Sequence, residues 1–117
     1  MSEQAPSIQK GGVYLADLNP RFGTEPGKVR PVVVVQTNLL NGHHPSTLVC
    51  PITTKVQPSS KLLRIHLRKG EAGLPELSDV MVDQARAIDN RRLVRYLGAV
   101  APRTRERLFE ALVTLLT

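Results

Sequence analysis

The feature that most constrains the fold is a run of four valines at residues 32–35, inside the segment RPVVVVQ. Valine is β-branched and packs well in strands, and an apolar side chain at every position leaves neither face of the strand polar. The run therefore predicts a strand that is covered on both faces. Pro31 removes one ladder donor at its start and biases Arg30 towards an extended conformation, so Arg30 is expected at the mouth of the most buried strand.

Short segments of strand character recur along the 117 residues. Their alternating or fully apolar patterns predict strands at 11–18, 30–36, 47–53, around 63–68 and within 79–89. Between the first two lies NPRFGTEPGKV, whose prolines and glycines predict a long loop over 19–29. Loops of that length in compact domains are usually functional or mobile.

The segment LLRIHLRKG has the clearest alternation in the chain. Its apolar side chains are expected to face inward and its basic ones outward: Leu63, Ile65 and Leu67 on one face, Arg64, His66 and Arg68 on the other. Pro51 indicates that the strand at 47–53 lies at a sheet edge or contains a bulge. NRRLVRYL, which follows the last predicted strand, is interpreted as a short basic turn.

From Pro102 onward the apolar period becomes helical, and proline suits a first helical turn. A stripe of leucines is expected to pack this helix on the sheet: Leu108, Leu112, Leu115 and Leu116. Several short strands separated by turns and followed by a terminal helix predict a mainly β, α+β chain. We expect a small, strongly curved antiparallel sheet or barrel with a C-terminal helix.

The length fits one domain with one core and one principal site, which we place at residues 10–117 after a flexible polar tail at 1–9. Sixteen Lys and Arg against ten Asp and Glu give a net charge of +6. This surplus favours a polyanionic partner, nucleic acid first, while a solvated basic face is the alternative. No apolar run approaches the ~20 residues of a membrane helix, so no membrane partner and a cytoplasmic location are expected.

Cysteine and histidine are sparse. Cys50 is the single cysteine, which rules out an internal disulfide, and His43, His44 and His66 give no known metal-ligand spacing beside it. We therefore expect neither a metal nor another cofactor.

Three side chains are candidates for chemistry on a phosphate. Arg30 would be held rigidly at a strand mouth, where its guanidinium can fork onto phosphate oxygens, although a surface cation is the plainer interpretation. Thr53 ends the strand VCPITT and its hydroxyl can donate to a phosphate, but threonine is also a good strand former. Glu25 in the long loop can act as a base or pair with Lys28 or Arg30 as a solvated ion pair.

Five motifs follow one another between residues 11 and 116. They are G-x-V-Y-x-x-D-L at 12–18, G-[ST]-E at 23–25, R-P-V-V-V at 30–34, I-T at 52–53 and D-Q-x-R-x-x-D at 83–89. Their order and spacing resemble the MazF/PemK family of toxin endoribonucleases from type II toxin–antitoxin systems. The resemblance implies a small, highly curved, SH3-like β-barrel with a C-terminal helix, the architecture of plasmid-maintenance and CcdB-like toxins.

The resemblance also implies an activity: metal-independent cleavage of single-stranded RNA at short sequence motifs, leaving a 2′,3′-cyclic phosphate and a 5′-hydroxyl. The substrate's own 2′-hydroxyl would be the nucleophile. Arg30 and Thr53 fall on the catalytic Arg and Thr of the family, and Glu25 falls on the loop acid that some members need. The general base remains open among Glu25, His43 and His44.

Further residues are predicted to contact RNA, as cations near the catalytic positions, as polar groups, or as aromatic side chains that could stack on bases. They are Tyr14, Arg21, Phe22, Lys28, Thr54, Lys55 and Gln84. For Tyr14 and Phe22, ordinary packing is the alternative.

The implied partners are single-stranded RNA, a second copy of the chain in a homodimer, and a cognate antitoxin with an acidic, partly disordered C-terminal segment. Two rival functions remain. A gyrase-poisoning toxin of the CcdB type would act through a C-terminal tryptophan, whereas this chain contains no Trp. A basic nucleic-acid-binding module without catalysis would need only the charge.

Overall fold

The computed structural model describes residues 7–20, 23–24 and 28–117. Seven strands and one helix follow in chain order: β1 (Gly12–Asp17), β2 (Val29–Val34), β3 (Ser46–Thr53), β4 (Arg64–Leu67), β5 (Ser78–Met81), β6 (Arg86–Asp89), β7 (Leu93–Ala99) and α1 (Pro102–Leu116). Short 3₁₀ turns occupy Glu71–Gly73, Val82–Gln84 and Asn90–Arg92. The prediction of a mainly β chain with a C-terminal helix is confirmed.

The strands form one antiparallel sheet in the order β4-β5-β3-β2-β1-β7, and β6 also pairs with β3. Within the described part of the chain no ladder joins β7 to β4, so the strand path is open and does not close into a complete barrel. The strand β3 is the centre of the arrangement, because β2, β5 and β6 all pair with it.

The valine run is covered on both faces, as predicted. Val32, Val33 and Val34 are each 0% exposed. Val32 and Val34 belong to one apolar cluster, with Tyr14, Ala16, Leu18, Val49 and Ile88. Val33 and Val35 belong to another, which also contains Val13, Cys50, Ile52, Ile65 and Leu108. Burial on both faces anchors β2, and Arg30 lies at the open end of this anchored strand.

Pro51 does not mark a sheet edge, so the first of the two predicted alternatives, an edge or a bulge, was wrong. On one side of β3, Pro51 lies opposite Val32 of β2. On the other side, β6 pairs with residues 46–49 and β5 with residues 52–53, so Pro51 falls where β3 changes partners. A proline, which lacks an N–H, is tolerated there because neither the β3–β6 ladder nor the β3–β5 ladder uses that position.

Other local expectations also needed correction. Ile65 and Leu67 are buried as predicted, but Leu63 precedes β4 and is 38% exposed. The segment interpreted as a basic turn is a 3₁₀ turn followed by β7, which pairs with β1. Among the described strands β7 pairs only with β1, so it is an edge strand and tolerates the exposed Arg95.

The helix α1 packs on the core through residues 104–112, and its last turn does not. Leu108 is 0% exposed and Leu112 packs against the core, whereas Leu115 and Leu116 are 43% and 83% exposed. The predicted leucine stripe is therefore confirmed only for its first two members. No helix within the described ranges is sufficiently long and apolar to cross a membrane.

A close approach between the turn Glu71–Gly73 and β7 requires glycine. Gly73 has φ +75°, and a Cβ atom there would lie 2.3 Å from the carbonyl oxygen of Leu97. Only glycine avoids both the strained backbone and this contact. The turn is thereby held on β7, and it leads directly into the segment 74–78 that lines the site described next.

Candidate active site

A cleft of about 420 Å³ lies between the start of β2, the end of β3 and the segment that precedes β5. Five of the residues predicted from the sequence line it: Lys28, Arg30, Thr53, Thr54 and Lys55. Pro31, Ile52, Leu74, Pro75, Glu76 and Ser78 complete the lining. Three cationic side chains and one carboxylate therefore line a cleft with a partly apolar wall. The net positive charge favours the binding of an anion.

Arg30 is the second residue of β2 and is partly buried. Its backbone lies opposite Ala16 of β1, and the next residue, Pro31, lies opposite Leu15. The rest of β2 is fixed in the core, so the backbone that carries the Arg30 side chain is rigid. A guanidinium on a rigid base loses little entropy when it binds an oxyanion.

Lys28 closes the base of the long loop. Its carbonyl accepts the Leu18 amide at 2.9 Å, and its own amide donates to the Asn19 side-chain oxygen at 2.8 Å. The Arg92 guanidinium donates to the carbonyl oxygens of Asp17, at 2.9 Å, and of Asn19. Both ends of the loop are therefore held together two residues before Arg30. Arg21, Phe22 and Glu25 fall outside the described residues, so their roles stay predictions.

Thr53 is the last residue of β3 and lies opposite Asp79 of β5. Its hydroxyl oxygen accepts the Lys55 amide at 3.1 Å. This bond orients the side chain and uses one lone pair, which leaves the hydroxyl hydrogen to donate to a bound oxygen. Thr53 can therefore act as a hydrogen-bond donor to an anion in the cleft.

The residues after Thr53 are held by a buried carboxylate. Asp79 is 0% exposed, and its Oδ2 accepts the Gln57 amide at 2.8 Å and the Arg64 Nη1 at 3.1 Å. The same Arg64 nitrogen donates to the Lys55 carbonyl at 3.1 Å. Asp79 and Arg64 therefore hold the segment 55–57, whose first residue lines the cleft beside Thr53.

His66 completes this buried network, which we call the Asp79 cluster: Asp79, Arg64 and His66. Its Nδ1 lies 2.6 Å from Asp79 Oδ1, and its Nε2 lies 3.1 Å from the carbonyl oxygen of Ser60. Burial alone would raise the pKa of the Asp79 carboxyl, but the hydrogen bonds from Gln57, His66 and Arg64 outweigh it, so this pKa lies below its ordinary value.

Sequence reasoning missed the Asp79 cluster. Arg64 and His66 were assigned to a solvated outer face, because alternation along one strand does not reveal what the neighbouring strand presents. Asp79 lies in the segment SDVMVDQ, where the two acids, Asp79 and Asp83, have no spacing that marks either as a partner of Arg64. The available clue was an Arg-x-His pattern on one predicted strand and one acid on the next.

Some predicted residues lie elsewhere. Tyr14 is 2% exposed, its hydroxyl donates to the Ser7 carbonyl at 3.0 Å, and its ring meets Tyr96 edge-on at 5.2 Å between centroids. It presents no face to a base, so its position matches the packing alternative. Gln84 lies in the 3₁₀ turn after β5 and is not among the residues that line the cleft.

His43 and His44 lie before the first residue of β3, whereas Thr53 is its last. An eight-residue strand is roughly 23 Å long, so these histidines are remote from Thr53 within one subunit. Glu76 was not predicted, yet its side chain lines the same cleft as Arg30 and Thr53. The cleft thus contains a carboxylate within the described part of the chain, and neither of the two histidines.

In the described part of the chain, neither a group of metal ligands nor a reactive thiol forms a second candidate active site. Over residues 7–20, 23–24 and 28–117, no three side chains of His, Cys, Asp or Glu are grouped so that they could hold a metal ion. Cys50 is buried in the core, and burial, with a smaller contribution from Asp83, raises its pKa to about 12. A thiol with this pKa stays protonated at neutral pH and is a poor nucleophile.

Solved structures of similar fold include several bacterial toxins. MazF from Deinococcus radiodurans aligns with a TM-score of 0.79 at 23% identity, over 97% of this chain and 98% of that one. The Mycobacterium tuberculosis toxin MazF-mt6 aligns with a TM-score of 0.75 at 24% identity, over 90% and 95%. An endoribonuclease from a mycobacterial species, solved with its cognate antitoxin, aligns with a TM-score of 0.74 at 23% identity, over 95% and 94%.

The sequence itself matches one protein family. Residues 9–116 match the family described as the PemK-like, MazF-like toxin of type II toxin–antitoxin systems. The match includes the Arg30 strand, the Thr53 strand and the terminal helix, and it agrees with the fold shared with the solved toxins. The chain belongs to the PemK-like, MazF-like family of type II toxins.

Proposed function

We propose that this chain is the toxin of a toxin–antitoxin pair and an endoribonuclease that cleaves single-stranded RNA at short sequence motifs without a metal ion. Cleavage of messenger RNA would inhibit translation and growth, and ribosomal and transfer RNA are alternative targets. The observation that carries the proposal is the convergence of Arg30 and Thr53, from the ends of two different strands, on one cationic cleft.

The proposed reaction is a transesterification. The 2′-hydroxyl of the RNA attacks the adjacent phosphorus, a bond from O2′ to phosphorus forms, and the bond from phosphorus to O5′ breaks. A base accepts the 2′-hydroxyl proton, and the departing 5′-oxygen takes up a proton. The products are a 2′,3′-cyclic phosphate and a 5′-hydroxyl, so no nucleophile from the protein is needed.

Arg30 would bind the non-bridging oxygens as charge develops on the phosphorane and could donate a proton to the leaving O5′. The Thr53 hydroxyl would hold the same phosphate, and Lys28 and Lys55 would lower the cost of bringing the RNA backbone into the cleft. Glu25 remains a candidate for the base, and the position of Glu76 makes it a second one. The remote position of His43 and His44 disfavours both within one subunit.

We also propose a homodimer and an antitoxin partner. The resemblance supports the first, and the exposed Leu115 and Leu116 offer apolar surface that a second copy could cover. One solved protein of this fold is a mycobacterial endoribonuclease in complex with its cognate antitoxin, and another is a MazE-MazF complex from Deinococcus radiodurans. An acidic, partly disordered antitoxin segment would compete with RNA for the cationic cleft. We propose a cytoplasmic location for both partners.

Incubation of the purified protein with a long, defined RNA tests this proposal. We expect cuts at a recurrent short motif, unchanged by EDTA, with 5′-hydroxyl and cyclic phosphate ends on the fragments. Cleavage that requires added divalent metal would contradict the mechanism. Binding of RNA without cleavage would favour the basic binding module, and inhibition of gyrase without RNA cleavage would favour the CcdB-type toxin.

A further inference from the structure

A second basic cleft, of about 650 Å³, lies where the end of β4 and its following turn meet the start of α1. We call it the α1 cleft. Its lining is His66, Arg68, Lys69, Glu71, Ala101, Arg103, Thr104 and Arg107. None of these residues lines the cleft that contains Arg30 and Thr53. It is therefore a distinct feature that the proposed chemistry does not use.

The charge in the α1 cleft is strongly one-sided. Arg68, Lys69, Arg103 and Arg107 line it, and no ion-pair partner accompanies any of them within the described ranges. The one carboxylate, Glu71, is already engaged, since it accepts the backbone amides of Arg68 at 3.3 Å and Ala101 at 3.1 Å. Four cations against one carboxylate leave the cleft with a net positive charge, which a bound polyanion can neutralise.

Uncharged hydrogen-bond donors also lie at the α1 cleft. The helix α1 begins after Ala101, whose side chain cannot cap it, and the first helical bond runs from the Arg105 amide to the Ala101 carbonyl. The amides of Arg103 and Thr104 belong to the first turn and have no partner within the helix. Thr104 is only 9% exposed, lines the cleft, and its hydroxyl has no hydrogen bond to any described residue. This hydroxyl can therefore donate a hydrogen bond to an oxygen atom of a molecule bound in the cleft.

These donors suit a phosphate diester better than a carboxylate. Three of the four cations are arginines, whose planar guanidinium forks onto phosphate oxygens. First-turn amides and a hydroxyl add donors from a second direction, as in anion sites at helix N-termini. The number of cations exceeds what one small anion needs and fits successive phosphates of a polymer.

The α1 cleft and the candidate active site flank the same turn. Glu71 lines the first and Leu74 lines the second, and the Leu74 amide donates to the Glu71 carbonyl at 2.9 Å. Across the β4–β5 ladder, Leu67 lies opposite Ser78, which lines the active-site cleft, while Arg68 follows Leu67 into the α1 cleft. A single extended polymer could therefore occupy both clefts.

We infer that the α1 cleft is an RNA backbone site, which binds phosphates flanking the cut and lengthens the RNA that one subunit grips. The identity of the polymer as RNA rests on the proposed function, whereas the preference for backbone phosphates rests on the cleft itself. The site contributes affinity and salt dependence, and it takes no part in the chemical step.

The test is the salt dependence of RNA binding, measured by fluorescence anisotropy with a labelled polyuridine RNA of about 20 nucleotides, longer than a single binding site. The RNA is 2′-O-methylated, so binding is measured whether or not the protein cleaves RNA. The test variant is Arg103→Gln with Arg107→Gln. The matched control is Lys10→Gln with Arg105→Gln, which removes the same charge from a neighbouring surface that also contains Glu106 and Glu110.

For single-stranded nucleic acid the slope of log K against log salt changes by about 0.7 for each phosphate contact, so the test variant is expected to lose about 1.4 from the slope. Its affinity should fall about tenfold at low salt, while the control stays close to the parent. An unchanged slope in the folded test variant, or an equal loss in the control, would overturn the inference. So would weakened binding of an acidic peptide with unchanged RNA binding, which would assign the cleft to a protein partner.

The two proposals fail in distinguishable ways. A protein that binds the probe with the expected loss in the test variant, yet never cleaves RNA, retains the α1 site and loses the nuclease function. A protein that cleaves RNA while the test variant keeps the parental slope retains the nuclease function and loses the α1 site.

Discussion

Arg30→Lys is expected to lower the single-turnover rate of RNA cleavage about a hundredfold, equivalent to on the order of 3 kcal/mol in the barrier, with little loss of RNA affinity. The substitution keeps the positive charge at the start of β2 but replaces a planar fork with one hydrated ammonium. Binding in the ground state depends largely on charge, whereas the phosphorane needs two aligned donors. Single-turnover cleavage at saturating enzyme, with anisotropy for affinity, separates the two effects.

The control for this substitution is Arg95→Lys, an equal change at an exposed position on the edge strand β7. It should leave the rate unchanged. Thr53→Val removes the hydroxyl while keeping the shape and should also slow cleavage. If both groups hold one phosphate, the double variant is slower by less than the product of the single effects. A folded Arg30→Lys protein that cuts at the parental rate would return Arg30 to the role of a surface cation.

Asp79→Ala should lower the free energy of unfolding by about 3 kcal/mol at neutral pH, because it leaves the largely buried Arg64 guanidinium without its counter-ion and the Nδ1 of His66 without its hydrogen-bond partner. Arg64 and His66 have side-chain exposures of only 14% and 29%, and the Gln57 amide would also lose its acceptor. Loosening of the segment 55–57 should slow cleavage as well. Denaturant unfolding followed by circular dichroism gives the stability, and the cleavage assay gives the rate.

Asp89→Ala is the matched control, since Asp89 also pairs with an arginine, Arg91 at 2.9 Å, but on the exposed surface. It should change stability much less than Asp79→Ala, because exposed ion pairs contribute little and the only other bond lost among the described residues is the one from the Arg91 amide at the start of the 3₁₀ turn. Asp79 has a lowered pKa in the folded state, so its contribution is full above the ordinary value of 3.8 and is lost as the pH falls below it. The difference between parent and Asp79→Ala should therefore shrink on acidification below that value. A difference that grows instead would contradict the assigned charge state.

The sequence predicted best what depends on composition within one segment. The valines of β2 are apolar at every position, and both of their faces are buried. The convergence of Arg30 and Thr53 followed from the family resemblance, and a cleft joins them. The predictions that failed concern contacts between segments that are distant in the sequence. Pro51 is tolerated in a central strand because β6 and β5 leave a gap beside it, and nothing within the segment TLVCPIT encodes that gap.

The same reason explains the residues that were missed. Arg64 and His66 alternate with apolar residues as solvated side chains would, and only the pairing of β4 with β5 brings Asp79 next to them. The sequence does not distinguish Glu76 from other polar loop residues. Glu76 lines the cleft because the preceding turn packs on β7 through Gly73. Tyr14 was a candidate for stacking on a base because the alternation along β1 does not show that Tyr96 covers this side chain.

In the proposed reaction the RNA attacks its own backbone through the 2′-hydroxyl while Arg30 and Thr53 stabilise the transition state. The most direct test compares two RNA oligonucleotides that contain the mapped cut site and differ only in one 2′-deoxy sugar on its 5′ side. We expect the substituted oligonucleotide to bind with nearly the parental affinity and not to be cut. Cleavage of the 2′-deoxy oligonucleotide at the parental rate would contradict the proposed reaction.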